Sequence, residues 1–214
     1  MKSNELINKL IKYCIDNKYN KIYICWNGGS GKTTLSYNIS KEAKKYWNIN
    51  IISCDDFLAD TNLRKNAIIS RNEDWKEYSY RYTSSNFESY FFKNIYELLY
   101  NIDHGIDCFY FSKRYKEKNG IKKLYSNYFL TIIEGVGTAF LEKDEKSFKI
   151  FLKCNTESEI KRRQKRFKKT ASAIELYDEK RDSSYRTNIL IHENEFDLII
   201  LSGEDFTYEI IKQN

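Results

Sequence analysis

The run Gly28-Gly29-Ser30-Gly31-Lys32-Thr33-Thr34 is the part of this sequence whose residue types and spacing most directly imply chemistry. Glycines let consecutive backbone N–H groups point into one concavity that binds anionic oxygens, and a helix starting there adds its dipole. A lysine and a hydroxyl at the end of such a loop suit a nucleoside triphosphate. Lys32 would reach the β- and γ-phosphates, and the Thr33 hydroxyl would join the shell of Mg²⁺. The run follows an apolar segment, Lys21-Ile-Tyr-Ile-Cys-Trp26, and opens a segment with Leu35, Ile39 and Ala43 at helical spacing. That strand–loop–helix setting is the one the motif requires. Gly28, Gly29, Ser30, Gly31, Lys32, Thr33 and Thr34 are therefore the candidate nucleotide-binding residues. One departure is Trp26, which stands where the full pattern has its first glycine. The competing reading is a glycine turn that binds nothing, and the Lys32 ammonium argues against it.

Acidic residues fall where a phosphate chemistry would need them. In open α/β sheets the ligand sits beyond the carboxyl ends of the strands. Glu134 ends the apolar run Thr131-Ile-Ile-Glu134, and Asp55 and Asp56 end Asn50-Ile-Ile-Ser-Cys54. Thr33, Glu134 and Asp55 are the candidate metal ligands. A carboxylate at Asp55 also suits a base that orients and deprotonates an attacking hydroxyl. The alternative is that Asp55 or Asp56 caps a helix, and one residue could serve each role.

A third cluster, Lys161-Arg-Arg-Gln-Lys-Arg-Phe-Lys-Lys169, holds seven cations in nine positions behind the capping pattern Asn155-Thr156-Glu-Ser-Glu159. On a helix, Arg162 and Arg166 lie one turn apart on one face. Three readings compete: a solvated helix face, a nucleic-acid patch, and a lid whose arginines close over a triphosphate. Aromatic interleaving is thin, with Phe167 alone, which disfavours nucleic acid. The position directly after a strand favours the lid.

The elements that must position these groups can be read from periodicity. Leu6, Ile7, Leu10, Ile11 and Cys14 share a helical face, with Ser3 as its N-cap; Ser85-Asn-Phe-Glu88 predicts the start of a second helix, with Phe87, Phe91, Ile95, Leu98 and Leu99 inward. Cys108–Tyr115 and Lys122–Tyr128 predict a ribbon turning at Asn119-Gly120. Phe129–Ile133, Phe148–Leu152 and Phe196–Leu201 predict strands, and Leu58–Tyr82 has no assignable pattern. Strands separated by helices imply a parallel sheet covered on both faces, a three-layer α/β/α domain. The 214 residues read as one domain with two insertions, 56–128 for substrate and 155–193 for the lid.

Composition agrees. Apolar content of 41% supports a core, and the net charge is +6. No run approaches the ~18 apolar residues of a membrane helix, and Met1–Leu10 lacks a secretory cleavage pattern. Five scattered cysteines without a C-x-x-C pair suit reduced thiols, and His104 and His192 show no ligand spacing. The expected location is the cytoplasm. Proline is absent, which we read as coding bias.

In sum of motifs, the chain resembles the uridine kinase-like branch of the P-loop kinases, related to phosphoribulokinase and pantothenate kinase. The resemblance rests on Gly28–Thr34, the D-x-F of Asp55-Asp56-Phe57, Ile133-Glu-Gly-Val136, the R-x-x-x-R of Arg162 and Arg166, and Glu195-Phe-Asp-Leu-Ile-Ile200. It implies a P-loop NTPase fold with a parallel five-stranded sheet and a lid insertion, and an ATP- and Mg²⁺-dependent transfer to a hydroxyl. It also implies Asp55 as catalytic base, with Lys32, Arg162 and Arg166 in the catalytic set. A nucleoside, uridine-like, is the first guess for the acceptor. The family's ribose- and base-reading segments have no direct counterpart: Tyr80-Arg-Tyr-Thr83 has no acid, and Phe109–Tyr115 has no histidine. Asp74, Trp75, Tyr80, Arg81, Tyr110, Lys113 and Arg114 are the candidate substrate residues in the first insertion, and the basic pair hints at an anionic compound. The rival readings are a nucleotide or nucleotide-sugar kinase and a nucleotide-dependent switch or nucleic-acid-binding NTPase. No N-K-x-D tetrapeptide is present for guanine. The expected partners are ATP and a small hydroxyl compound, no membrane, and an oligomeric state left open.

Overall fold

Continuous apolar runs form strands buried on both faces, and here they assemble as the pattern demands. The computed structural model describes residues 2–26, 29–73, 76–113, 120–155, 157–159, 161–162, 179–203 and 207–213; for 65, 68–73, 76–81 and 179–183 it describes the backbone alone. In chain order the helices are α1 (Ser3–Asp16), α2 (Lys32–Ala43), α3 (Thr61–Asn66), α4 (Phe92–Asp103) and α5 (Glu179–Asn188). The strands are β1 (Lys21–Cys25), β2 (Ile49–Ser53), β3 (Ile68–Glu73), β4 (Lys76–Arg81), β5 (Cys108–Phe111), β6 (Ile121–Leu124), β7 (Leu130–Glu134), β8 (Ser147–Cys154), β9 (Leu198–Ser202) and β10 (Tyr208–Gln213).

The main sheet runs β10-β9-β8-β1-β7-β2. Its five members from β9 to β2 are parallel, as expected, and β10 adds a sixth, antiparallel edge strand that the sequence pattern does not announce. Only Tyr208 of β10 is buried, so the strand carries no apolar run. Each face of the sheet has its own core. Ile22 and Ile24 of β1 pack with Leu6 and Leu10 of α1 and Leu35 and Ile39 of α2. Tyr23 packs with Ile95, Leu98, Leu99 and Ile102 of α4 on the other face. These are the three layers.

Several local expectations are corrected. The residue at the N-cap of α1 is Lys2 rather than Ser3, and it makes no side-chain cap bond. Ser85 does not start a helix: Phe87–Ser89 is a single 3₁₀ turn, α4 begins at Phe92, and Phe87 and Phe91 are exposed while Phe92 is buried. Ile95, Leu98 and Leu99 are buried as expected, so the helix face is kept and only its start and first inward aromatic differ. The unassigned stretch holds α3, capped by Asp60 Oδ1 accepting from Asn62 N (2.7 Å), and the β3–β4 hairpin. The β5–β6 ribbon is antiparallel, pairing Cys108 with Leu124 and Phe111 with Ile121. Among the described residues no helix is long and apolar enough to cross a membrane.

Candidate active site

β1, β7 and β2 end level with one another, because Ile24 and Ser53 both pair with Glu134. Their carboxyl ends bring together the glycine loop, the Glu134 carboxylate and the turn carrying Asp55 and Asp56. Asn27 and Gly28 lie outside the described residues. Gly29 (φ 90°) and Gly31 (φ 101°) have left-handed backbones that a side chain would strain, and α2 starts directly after, at Lys32. Lys32 is only 8% exposed at that helix start, with Thr33 and Thr34 following in the first turn.

Glu134 is buried at 2% exposure. Ser53 Oγ donates to its Oε1 (2.9 Å), and Thr33 Oγ1 donates to its Oε2 (3.4 Å). This pairing of a carboxylate with the loop hydroxyl is a hard-oxygen donor set, which fits Mg²⁺. Among the described residues no group of three or more His, Cys, Asp or Glu could hold a metal. A triphosphate-bound Mg²⁺ needs only one or two protein oxygens, keeping waters and phosphates for the rest, so the donor set still fits.

The adjacent acids are separated by their surroundings. Both lie in the 3₁₀ turn Cys54–Phe57 that closes β2. Asp56 is buried and accepts from Ser112 Oγ (2.8 Å), Lys113 N (2.9 Å) and Tyr110 OH (3.4 Å). It therefore ties the β5–β6 ribbon to the end of β2. Asp55 is half-buried beside it. Gly135 and Gly137 let the next loop approach this turn. A Cβ at Gly135 would meet Cys54 Cβ at 2.7 Å, and one at Gly137 would meet the Tyr90 ring at 2.8 Å. Burial pushes the Tyr90 and Tyr110 hydroxyls far above the ordinary phenol range, with negative neighbours adding to the effect, so both stay protonated donors. Tyr90 donates to Ser84 O (2.7 Å).

Tyr110 is 8% exposed with its hydroxyl turned to Asp56 and to Ile51 O (3.5 Å), which places it in the packing behind Asp56. Lys113 has an exposed side chain whose Nζ donates to Leu58 O. Tyr80 and Arg81 lie on β4, with their side chains outside the described set; Asp74, Trp75 and Arg114 lie outside the described residues altogether.

After β8, where the sequence reading expects a lid, Asn155 caps a helical start: its Oδ1 accepts from Ser158 N (2.7 Å) and its carbonyl from Glu159 N (3.0 Å). Residues 157–159 and 161–162 are helical, and Arg166 lies outside the described residues. Arg162 does not project away from the sheet. Nη1 donates to Ser30 O (2.7 Å), and Nη2 donates to Ser202 Oγ (3.1 Å) and to Gly203 O. The guanidinium thus joins the glycine loop to the end of β9. Sequence reasoning did not find Ser53, the anchoring role of Asp56, or this Arg162 bridge. Each depends on a partner far away in the chain.

No protein-family model matches the chain, and no curated protein sequence matches it. Among solved structures, D-glycerate 3-kinase from Cryptococcus neoformans var. grubii is similar at TM-score 0.59, with 9% identity over 99% of this chain and 98% of that one. Phosphoribulokinase from Rhodobacter spheroides is similar at TM-score 0.55, with 13% identity over 86% of this chain and 70% of that one. A possible uridine kinase from Bacillus stearothermophilus scores 0.48 at 19% identity, covering 91% of this chain and 98% of that one. With a mostly parallel six-stranded sheet and a glycine loop leading from β1 into α2, the chain shares the fold of these D-glycerate 3-kinase and phosphoribulokinase structures.

Proposed function

We propose that the protein is an ATP- and Mg²⁺-dependent kinase that transfers the γ-phosphoryl group to a hydroxyl of a small molecule. One observation carries this reading: a glycine loop with Lys32, a buried carboxylate bonded to Thr33, and a second, half-buried carboxylate share one strand-end edge. The loop N–H groups and Lys32 bind the triphosphate and stabilise charge on the transferring group. Thr33 and Glu134 would hold Mg²⁺, which supplies charge neutralisation on the phosphate oxygens when bound. Asp55 orients the acceptor hydroxyl and takes its proton as the new O–P bond forms and the bond to the β-phosphate oxygen breaks, releasing ADP. Arg162, bonded to the loop carbonyl of Ser30, fixes the loop from the lid side. Tyr80, Arg81, Lys113 and Arg114 keep the substrate roles read from sequence and Arg166 is a second lid cation, whereas Tyr110 supports Asp56 from the packing behind it.

A nucleoside is our first acceptor, with a nucleotide or nucleotide sugar as the alternative. A small anionic hydroxyl compound is a second reading, supported by the exposed Lys113 beside the Asp56 turn and by the fold shared with an enzyme named for D-glycerate. The test is ADP release against a panel of nucleosides, nucleotides, sugars and hydroxy acids. With the preferred acceptor, Lys32→Ala is expected to fold normally and lose at least ~100-fold in turnover, because a charge is removed from the transition state. Unchanged turnover would refute the loop assignment.

A further inference from the structure

Trp26 closes β1 where a glycine loop ordinarily begins with glycine, and no role above uses it. Its side chain is neither exposed nor strained into the open. The ring is 9% exposed and meets two others edge-on: Phe151 of β8 at 4.9 Å and 88°, and Tyr185 of α5 at 5.2 Å and 73°. Phe151 and Tyr185 are buried too, at 0% and 3%. Edge-to-face contacts at these separations are the favourable geometry for aromatic quadrupoles. The trio therefore joins the strand that feeds the loop, the neighbouring strand, and the helix by which the chain returns from the basic run.

The same segment also holds the loop at its other end. Arg162, at its start, donates to Ser30 O, four residues beyond Trp26; Tyr185, near its close, lies against Trp26 itself. Ser30 Oγ and the Tyr185 hydroxyl, both on residues of this junction, are buried without a hydrogen-bond partner among the described residues. Buried hydroxyls without partners cost free energy, so the junction is held by its ring contacts and the Arg162 bonds rather than by these groups.

We propose that Trp26 is a positioning residue that ties the glycine loop to α5, so that triphosphate binding in the loop and the seating of α5 favour one another. Coupling of this kind is reciprocal: what the loop gains from a seated α5, α5 gains from an occupied loop. An indole filling ordinary core would instead affect folding alone and leave triphosphate affinity untouched. The inference rests on the kinase reading above, because it needs a loop that binds triphosphate.

The experiment measures Mg·ATP affinity by calorimetry on the full chain, with thermal unfolding of each variant as a control. Trp26→Phe keeps a ring between Phe151 and Tyr185 and is expected to bind within about twofold of wild type. Trp26→Ala and Tyr185→Ala are each expected to weaken binding about tenfold, within the usual range of coupling between sites. The double variant should be no weaker than about the weaker single, since either change already breaks the link. Tyr185→Phe should bind as wild type, and Tyr185→Ala keeps the proposal testable if Trp26→Ala does not fold. Tyr185→Ala binding within twofold of wild type overturns the proposal, as do losses that multiply in the double variant. A wild type that binds no Mg·ATP overturns the kinase reading itself, and this coupling with it.

Discussion

Asp55 and Asp56 are neighbours in sequence with unlike surroundings, and exchanging each for its amide should separate catalysis from architecture. Asp56 receives donors from Ser112, Lys113 and Tyr110. In Asp56→Asn one carbonyl oxygen can still accept from Lys113 N, while the amide nitrogen faces two hydroxyls that must rotate to accept. What is lost is the charge assistance of the two shorter bonds, from Ser112 and Lys113. Charged bonds of about 1.5–3 kcal/mol become neutral ones of about 0.5–1.5 kcal/mol, a loss of about 1 kcal/mol each and so about 2 kcal/mol in all. For a chain of this length each kcal/mol moves the melting temperature by about 2–4 °C, so Tm should fall by about 4–8 °C. Asp55→Asn removes the proposed proton acceptor and none of those bonds. Its kcat should fall by about 10²–10⁴, the contribution of a positioned base, with Mg·ATP affinity within about twofold and Tm within about 2 °C. Scanning fluorimetry and a coupled ADP-release assay, run well below both melting points, read the two effects separately. Asp55→Asn with kcat within threefold of wild type, or Asp56→Asn losing more kcat than Asp55→Asn, would refute the assignment and move the base by one residue.

Two further outcomes follow from the site and the core. Glu134→Gln keeps an acceptor for Ser53 but removes the negative charge beside Thr33, so the Mg²⁺ concentration for half-maximal activity should rise at least ~10-fold, measured by titration at fixed ATP. An unchanged Mg²⁺ dependence would take Glu134 out of the metal shell. The five cysteines are all buried; burial pushes the Cys25 and Cys154 thiols up to about 11 and Cys14 to about 12. A raised thiol pKa means less thiolate at a given pH: about 0.1% for a pKa of 11 at pH 8. A chromogenic disulfide reagent at pH 8 should therefore label none of them in minutes on the native chain and all after denaturation. Rapid native labelling would show that the core around them opens.

The glycine loop, the five parallel strands and the two helix faces at α1 and α2 were legible in the sequence, since each is a local pattern. Ile22 and Ile24 alternate with Tyr23 on a strand buried from both sides, and glycines at 29 and 31 announce a backbone only they adopt freely. Local signals also misled where tertiary packing outweighed them. Ser85 has the capping spacing, yet Phe92 rather than Phe91 is drawn into the core, and the helix starts later to allow it. β10 has one buried residue and joins the sheet through backbone pairing with β9, which no side-chain period encodes. The site was divided in the same way. Glu134 and Asp55 could be placed at strand ends from sequence, because a run of apolar residues ending in an acid marks such an end. Ser53 on Glu134, Ser112 on Asp56, Arg162 on Ser30 and Tyr185 on Trp26 join residues 81, 56, 132 and 159 positions apart. Their partners are chosen by which strands lie side by side, and only the folded sheet, in the order β9-β8-β1-β7-β2, decides that.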